Sequence, residues 1–178
     1  MPVQIGAKPD AGFDDPLGML RDCHRRIERF LAVLCRVAAN AGGRPLNSEE
    51  RAAVLEALSY FRVGGQRHTA DEEESLFPRM RDAHATAGID QLEDDHRESA
   101  ELHGDVDRLF TEWIASGAPG AAVCEALIEK TARLRAIYGR HIEEEETVVF
   151  PRAAQTLDRA AIQAIGEEFR SRRKPVQG

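Results

Sequence analysis

Two features are scarce in this sequence: long apolar runs and cysteine. No run of about 18 apolar residues occurs, so no membrane-spanning helix is expected. The 178 residues include three cysteines, which stand far apart and form no C-x-x-C pair. An odd number of isolated cysteines fits reduced thiols in the cytoplasm better than a disulfide framework. The first ten residues also lack the apolar stretch of a signal peptide, so a cytoplasmic protein is expected.

An excess of positive charge is missing as well. Lys and Arg number 24 against 31 Asp and Glu, which gives a net charge of −7. Binding to nucleic acid is therefore not expected, because a phosphate backbone attracts a basic surface. Alternation of apolar and polar residues with a period of two is also absent, so strands are not expected. The length is that of one domain with a sizeable core.

The sequence does contain an eleven-residue motif in two copies. Each copy reads H-x-x-x-E-E-x-x-[L/V]-F-P, and the copies begin at His68 and His141. Residues four apart lie on the same face of a helix, one turn above the other. His68 with Glu72, and His141 with Glu145, can therefore reach metal ions from two helices. Since a carboxylate can bridge two ions and a neutral imidazole binds one, the pattern predicts a dinuclear metal centre.

The repeat extends beyond the motif, since residues 62–79 match residues 135–152 at eight positions. A further histidine precedes the two copies by 44 and 45 residues, at His24 and His96. The chain therefore consists of two similar halves. Each half is predicted to be a hairpin of two helices, because repeats of this size usually correspond to one supersecondary unit.

Capping residues and turns divide the chain into five predicted helices. The signals are Asp15-Pro16 for helix 1, capping boxes at residues 47–50 and 90–93 for helices 2 and 3, the turn at residues 117–120 before helix 4, and an amphipathic segment at residues 158–170 for the last helix. Helix 1 is expected to reach about residue 40 and helix 4 about residue 150. Pro78 should end or kink helix 2 near Phe77, because proline has no backbone N–H.

The predicted fold is all-α, an up-down-up-down four-helix bundle with an additional short C-terminal helix. The bundle is expected to cover residues 15–170. Residues 1–14 are predicted to be a flexible N-terminal arm, since they are rich in Pro and Gly and show no apolar periodicity. Residues 171–178 are predicted to be a disordered tail.

This topology would bring all candidate ligands to one end of the bundle. His24 and His96 lie about two turns into helices 1 and 3, and the motifs lie near the ends of helices 2 and 4. Antiparallel neighbours place the start of one helix beside the end of the next. Each metal would then receive two imidazoles and one oxygen from each bridging carboxylate. A bridging oxide or hydroxide would make five ligands and leave about one open position per metal on an octahedral count, a set suited to iron, manganese or zinc.

The two motifs and the leading histidines resemble the hemerythrin-like, or HHE cation-binding, family over roughly residues 15–170. The resemblance implies a non-haem di-iron site with four terminal histidines and two bridging glutamates: His24, His68, His96, His141, Glu72 and Glu145. Oxygen-carrying members typically have a fifth histidine one turn after the helix 3 ligand, where this chain has Ala100. The four-His, two-Glu set is instead similar to di-iron proteins that repair damaged iron–sulfur centres. Those proteins usually carry an N-terminal cysteine-bearing segment, which this sequence lacks.

The open metal positions predict binding of, or reaction with, a small molecule such as O₂, peroxide or nitric oxide, in protection against oxidative or nitrosative stress. An oxidoreductase-like activity of this kind would use an electron-donor protein. One alternative is iron handling, with iron passed to an acceptor protein or a damaged iron–sulfur centre. Another is reversible O₂ binding or sensing without turnover, which the absence of a fifth histidine at Ala100 weakens. A ferritin-like site is not expected, because only Glu93-x-x-His96 matches its E-x-x-H pattern.

Several side chains near the predicted centre have less specific interpretations. His103 is predicted to be a hydrogen-bonded core residue rather than a ligand. Tyr138 fits core packing and a hydrogen bond to a metal-bound ligand equally well. Cys23 is expected to be a small, partly buried hydrophobic residue. Glu28 is expected to be a solvated charge rather than a ligand. Solvated charges are also expected at Glu73 and Glu146, although these two could instead accept hydrogen bonds from the N–H groups of ligand histidines.

Overall fold

The computed structural model of the protein describes residues 10–174. Within them the chain is all-α and contains no strand. The five helices are α1, Pro16–Asn40; α2, residues 48–82; α3, Ile89–Ser116; α4, residues 121–156; and α5, Arg159–Arg172. Helices α1 to α4 form an up-down-up-down bundle in which α4 packs against α1 and α3, and α1 packs against α2. The predicted fold class is therefore confirmed.

Helix α1 has the predicted bounds. The Asp15 side chain accepts a hydrogen bond of 2.9 Å from the backbone N–H of Gly18, which caps the first turn. Pro16 follows at the first helical position, where a missing N–H costs nothing. The face of α1 that packs against α2 and α4 carries Leu20 and Leu34, which are at most 1% exposed. Apolar periodicity and capping thus define this helix together.

Helices α2 and α4 are not uniform α-helices. Helix α2 consists of α-helical Ser48–Tyr60, Gln66–Asp71 and Phe77–Asp82, joined by π-helical Phe61–Gly65 and Glu72–Leu76. Helix α4 consists of α-helical Ala121–Glu144 and Phe150–Thr156, joined by π-helical Glu145–Val149. One π-helical turn therefore begins at each predicted bridging glutamate.

Of the two predicted effects of Pro78, an end or a kink of helix 2 near Phe77, the end does not occur, since α2 continues to Asp82. The π-helical turn explains the difference. The N–H of Phe77 donates to the carbonyl of Glu72, five residues earlier, so the hydrogen-bond register shifts by one residue before the proline. Pro78 then occupies the first turn of the next α-helical segment, where an N–H is not needed. Pro151 allows α4 to continue to Thr156 in the same way.

The two predicted capping boxes have different outcomes. The first is confirmed: the N–H of Glu50 donates to the Asn47 side chain at 2.9 Å, and the N–H of Asn47 donates to the Glu50 carboxylate at 3.0 Å. The second, at residues 90–93, does not form. Gly88 precedes the first residue of α3 with a φ of 86°, and Asp90 and Glu93 both accept hydrogen bonds from Arg81. Both carboxylates therefore bind the Arg81 guanidinium of α2 and not the backbone at the start of α3.

The chain segments outside the bundle contact it where they are described. The backbone N–H of Ala11 donates to the Asp22 carboxylate at 2.5 Å, and Arg26 donates to Asp10 at 2.7 Å. At the other end α5 extends to Arg172, two residues beyond the expected helix. Arg173 then donates to the buried Asp71 of α2 at 2.6 Å. Residues 1–9 of the predicted arm and 175–178 of the predicted tail lie outside the described residues.

The buried apolar residues form two clusters along the bundle. One lies towards the α1–α2 turn and includes Leu34, Phe110 and Trp113. The other includes Phe77 and Phe150 and is covered by α5. On each of the four bundle helices the predicted ligands lie between residues of the two clusters. No helix in the described range is long and apolar enough to cross a membrane.

Candidate metal centre

The structure brings the six predicted ligands together, each of them at most 8% exposed. They come from all four bundle helices: His24 from α1, His68 and Glu72 from α2, His96 from α3, and His141 and Glu145 from α4. The histidines form two pairs, and the ring centroids are 5.0 Å apart in the first pair, His24 and His68, and 4.8 Å apart in the second, His96 and His141. Each pair therefore comes from one of the two predicted helix hairpins.

The two glutamates join the histidine pairs. Glu72 directs one oxygen to Nε2 of His68 and the other to Nε2 of His96, each at 3.2 Å. Oε2 of Glu145 lies 3.0 Å from Nε2 of His24 and 3.3 Å from Nε2 of His141. Both carboxylates thus contact one histidine of each pair, which is the position that a bridging ligand requires. The donor atoms form two groups, and within each group they all lie within 4.8 Å of one another. The first group comes from His24, His68, Glu72 and Glu145, and the second from Glu72, His96 and His141.

The donor atoms fit metal ions because they are buried without hydrogen-bond partners. The atoms concerned are Nε2 of His24, His96 and His141 and both oxygens of Glu72 and of Glu145, none of which has a hydrogen-bond partner among the described residues. An unpaired polar group in a protein interior costs about 1–3 kcal/mol, and more when it is charged. Cations at the two groups of donors would give most of these atoms a ligand bond. Imidazole and carboxylate together suit iron, manganese or zinc, and no cysteine belongs to either group.

Protonation of the carboxylates leads to the same conclusion. Burial and the nearby charge of Glu145 raise the pKa of Glu72 well above its usual range. Burial acts on Glu145 in the same sense, but contacts with His141 and His24 outweigh it and hold its pKa well below the usual range. Burial, followed by repulsion from His24, lowers the pKa of His68 well below its usual value. Burial thus favours a neutral Glu72, and a cation between the two carboxylates would let Glu72 ionise as well as Glu145.

Residues 15–153 match the family described as the hemerythrin HHE cation binding domain. The chain belongs to this family. Membership, together with the buried His and Glu groups, makes it a metal-binding protein, and the metal typical of the family is iron. A search of curated proteins found no match.

Two carboxylates orient predicted metal ligands from outside the two groups of donor atoms. Oε1 of Glu146 accepts a hydrogen bond of 2.8 Å from Nδ1 of His24, and Oε1 of Glu73 accepts one of the same length from Nδ1 of His96. An ionised carboxylate only accepts hydrogen bonds, so these contacts place the proton on Nδ1 and leave the Nε2 lone pair for a metal. Of the two interpretations of Glu73 and Glu146, the structure thus supports acceptance of a histidine N–H over a solvated charge alone.

Helix geometry explains why the residue after each bridging glutamate has this role. Successive residues are rotated by about 100° around a helix, so when Glu72 points into the bundle, Glu73 faces the adjacent helix α3. Glu146 faces α1 in the same way. The π-helical turns that begin at Glu72 and Glu145 were missed from the sequence. Their signal was a proline that follows each motif glutamate by six residues inside a continuing helix, since π-helical turns often occur at functional sites.

Asp95 is a buried carboxylate that sequence reasoning missed. It is 2% exposed, its Oδ2 lies 3.6 Å from Nδ1 of His141, and it accepts a hydrogen bond of 2.6 Å from Arg140. The equivalent position in the first half of the chain is Cys23. Nδ1 of His68 accordingly has no hydrogen-bond partner among the described residues. The two histidine pairs therefore differ in the groups that surround them.

The remaining candidates lie outside the two ligand groups. Nε2 of His103 is 3.0 Å from the Tyr138 hydroxyl, as expected for a hydrogen-bonded core residue. Burial, only partly offset by Asp107, lowers the pKa of His103 to about 4. Glu28 is exposed, and Cys23 is buried and accepts a hydrogen bond of 3.2 Å from Arg26.

A cleft of about 470 Å³ leads from the surface to the hemerythrin-like site between α2 and α3. It ends at His96, the only one of the six ligands that lines it. Ala100, where oxygen carriers of the family typically have a histidine, also lines this cleft. Small molecules can therefore approach the histidine pair of the second hairpin.

Proposed function

We propose that the protein holds two iron ions and that its reduced form reacts with O₂, peroxide or nitric oxide, in protection against oxidative or nitrosative stress. Glu72 and Glu145 would hold both ions, together with a bridging oxide or hydroxide. The observation that carries this proposal is the cleft that reaches His96 beside Ala100. It gives small molecules a route to a metal position that lacks a fifth imidazole. When bound and reduced, the iron pair supplies two electrons.

The protein side chains hold and orient the site in this proposal. His24 and His96 are fixed by their hydrogen bonds to Glu146 and Glu73, so their Nε2 atoms point at the metal positions. Phe150 and Phe77 stack on these two imidazoles, with ring centroids 5.5 and 6.1 Å apart, and shield them from water. Substrate exchange is then confined to the cleft. An electron-donor protein returns the electrons, and isolated cysteines suit a reducing compartment such as the cytoplasm.

Burial of the ligands weighs against iron delivery as the main role. All six predicted ligands are at most 8% exposed, and those of the first hairpin line neither the cleft between α2 and α3 nor a groove between α1 and α4. Release of iron to an acceptor would require the bundle to open. The open position beside Ala100 weighs against reversible O₂ carriage, since a second free site makes bound O₂ harder to keep unreactive.

Metal analysis followed by optical spectroscopy tests the proposal. The protein produced with adequate iron should contain close to two irons per chain. Its reduced form should be oxidised on mixing with O₂ or peroxide, or should bind nitric oxide, without a long-lived oxygenated species. One metal or none per chain would refute the dinuclear site. Persistent, reversible O₂ binding would establish the carrier role instead, and a lack of reaction with all three would refute the proposed reactivity.

A further inference from the structure

The two halves of the chain form equivalent grooves with different access to the site. One is the cleft between α2 and α3, and the other is a groove of about 340 Å³ between α1 and α4. Only the first is lined by a metal ligand. Ser99 and His103 line the cleft on α3, whereas the equivalent residues of α1 are Ile27 and Leu31, both buried. Bulkier aliphatic side chains therefore separate the second groove from the metal site.

The cleft is far larger than a diatomic gas or hydrogen peroxide requires. Its volume of about 470 Å³ lies in the range of pockets that bind organic molecules, about 300–1,000 Å³. A water molecule, which is close to hydrogen peroxide in size, occupies about 30 Å³ in the liquid. Gly65 on α2 and Gly104 on α3 face the cleft and leave its walls without side chains there. The cleft thus has room for a substrate with an organic body, which O₂, nitric oxide and hydrogen peroxide lack.

The charges around the cleft favour a neutral occupant. Three charged side chains line it, and each is paired among the described residues. Arg62 and Asp107 form two hydrogen bonds of 2.6 and 2.7 Å with each other across α2 and α3, and Arg108 pairs with Glu112. No free cation is therefore offered to a carboxylate or phosphate in this part of the structure.

The inner end of the cleft can form hydrogen bonds, whereas its walls are largely apolar. Leu58 and Phe61 line it on α2. His103 and Tyr138 line the cleft together with His96 and share a hydrogen bond of 3.0 Å. Burial keeps the pKa of His103 near 4, so its ring is neutral at pH 7. The occupant should accordingly carry a small polar group at one end of an apolar body.

We propose that this cleft binds an organic hydroperoxide, with its apolar body between α2 and α3 and its O–O group at His96. The inference rests on the proposed function and names its substrate. Of O₂, nitric oxide and hydrogen peroxide, only the peroxide can carry an organic substituent and keep its O–O group. Cleavage of its O–O bond takes two electrons, which a reduced iron pair would supply, and two protons, which water would supply. The products are the alcohol and water, and a one-electron carrier protein later restores the two electrons.

Filling the cleft provides the test. A Cβ atom built at Gly104 has nothing within 4 Å, so Gly104→Leu can be accommodated without a clash and should favour the helix. The matched control is Ala32→Leu, at the equivalent position of α1 in the groove that does not reach the site. Both variants should have the circular dichroism spectrum and metal content of the unmodified protein.

Oxidation of the reduced, iron-loaded protein is followed after mixing with cumene hydroperoxide or hydrogen peroxide. Gly104→Leu should slow the reaction with cumene hydroperoxide about tenfold or more, since burial of its aromatic body is lost. The reaction with hydrogen peroxide should change by less than about twofold, because a small peroxide still passes. Ala32→Leu should alter neither rate. Equal effects of Gly104→Leu on both peroxides, or none on either, would overturn the hydroperoxide assignment.

Binding is measured separately with 2-phenyl-2-propanol, the alcohol product, which has no O–O bond. Isothermal titration calorimetry of the oxidised, iron-loaded protein should show one site, which Gly104→Leu weakens about tenfold or more and Ala32→Leu leaves unchanged. Absence of binding together with rapid reaction with hydrogen peroxide would overturn this inference and leave the proposed function standing. Binding without reaction towards O₂, nitric oxide or any peroxide would refute the proposed function, and the hydroperoxide assignment with it.

Discussion

Glu146 accepts a 2.8 Å hydrogen bond from Nδ1 of His24, a residue 122 positions earlier in the chain. Glu73 forms the equivalent bond with His96. In each motif the first glutamate, a predicted ligand, points into the bundle. The second glutamate orients a histidine of a neighbouring helix. The motif glutamates therefore act as adjacent pairs with different tasks.

Replacing an orienting carboxylate should weaken metal binding without unfolding the protein. We expect Glu146→Gln to lower metal affinity by about 10–100-fold, the usual effect of losing a carboxylate partner of a ligand histidine. Competition with a chelator of known affinity measures this change. Glu74→Gln is the control, because Glu74 is exposed and contacts none of the ligands. Equal affinities of the two variants would show that the contact with His24 has no effect on the metal.

Removal of a bridging carboxylate should have a different result, namely the loss of the metal pair. Glu145→Ala deletes the oxygen that lies 3.0 Å from His24 and 3.3 Å from His141. We expect clearly fewer than two metals per chain by elemental analysis and loss of magnetic coupling. Glu143→Ala, two residues away and exposed, should retain both metals. A dinuclear, coupled centre in Glu145→Ala would disprove the bridging role.

A histidine at position 100 should place a ligand on the cleft side of His96, one helical turn away. For Ala100→His we expect slower oxidation of the reduced protein and a longer-lived nitric oxide adduct, because the open metal position is filled. Stopped-flow spectroscopy measures both. Ala100→Leu blocks the cleft to a similar extent without a nitrogen donor and serves as the comparison. If the two variants behave alike, obstruction rather than coordination explains the effect.

The partly buried His103 should make stability depend on pH. Its folded pKa of about 4 is below the ordinary 6.5, so the unfolded chain binds the proton more tightly. This contribution to stability is complete above pH 6.5 and is lost as the pH falls towards 4, by about 2 kcal/mol at pH 5. Urea unfolding of the metal-free protein at pH 7 and pH 5 measures the loss. The variant His103→Leu carries leucine, as does the equivalent position, Leu31. Between pH 7 and pH 5 its free energy of unfolding should fall by about 2 kcal/mol less than that of the unmodified protein. An unchanged pH dependence in this variant would contradict the assignment.

The last helix should be held to the bundle by Asp71. This carboxylate is fully buried and accepts two hydrogen bonds from Arg173, of 2.6 and 3.2 Å. We expect Arg173→Met to lower the free energy of unfolding by about 1.5–3 kcal/mol, as for other hydrogen bonds to charged groups. Chemical denaturation gives the value. Lys174→Met alters the neighbouring exposed residue and should change stability by less than about 0.5 kcal/mol. Similar losses in both variants would argue against the ion pair as the cause.

Local sequence determined the helices and the set of candidate ligands. The N-cap at Asp15 and the capping box at Asn47 depend on side chains within three residues of the backbone groups that they satisfy. The four-residue spacing of His68 and Glu72 fixes a common helix face in the same local way. These features could be predicted because backbone geometry alone relates the residues.

Tertiary structure decided how the site is oriented and reached. Glu73 and Glu146 become ligand partners only because α3 and α1 lie beside them, and Asp95 is buried beside His141 only once α3 and α4 have packed. Arg81 likewise donates hydrogen bonds to the two acidic residues of the predicted second capping box only because α2 lies beside α3. The cleft likewise exists because small residues of two helices face one another. Such contacts depend on packing between elements distant in sequence, which hydrophobic periodicity does not encode.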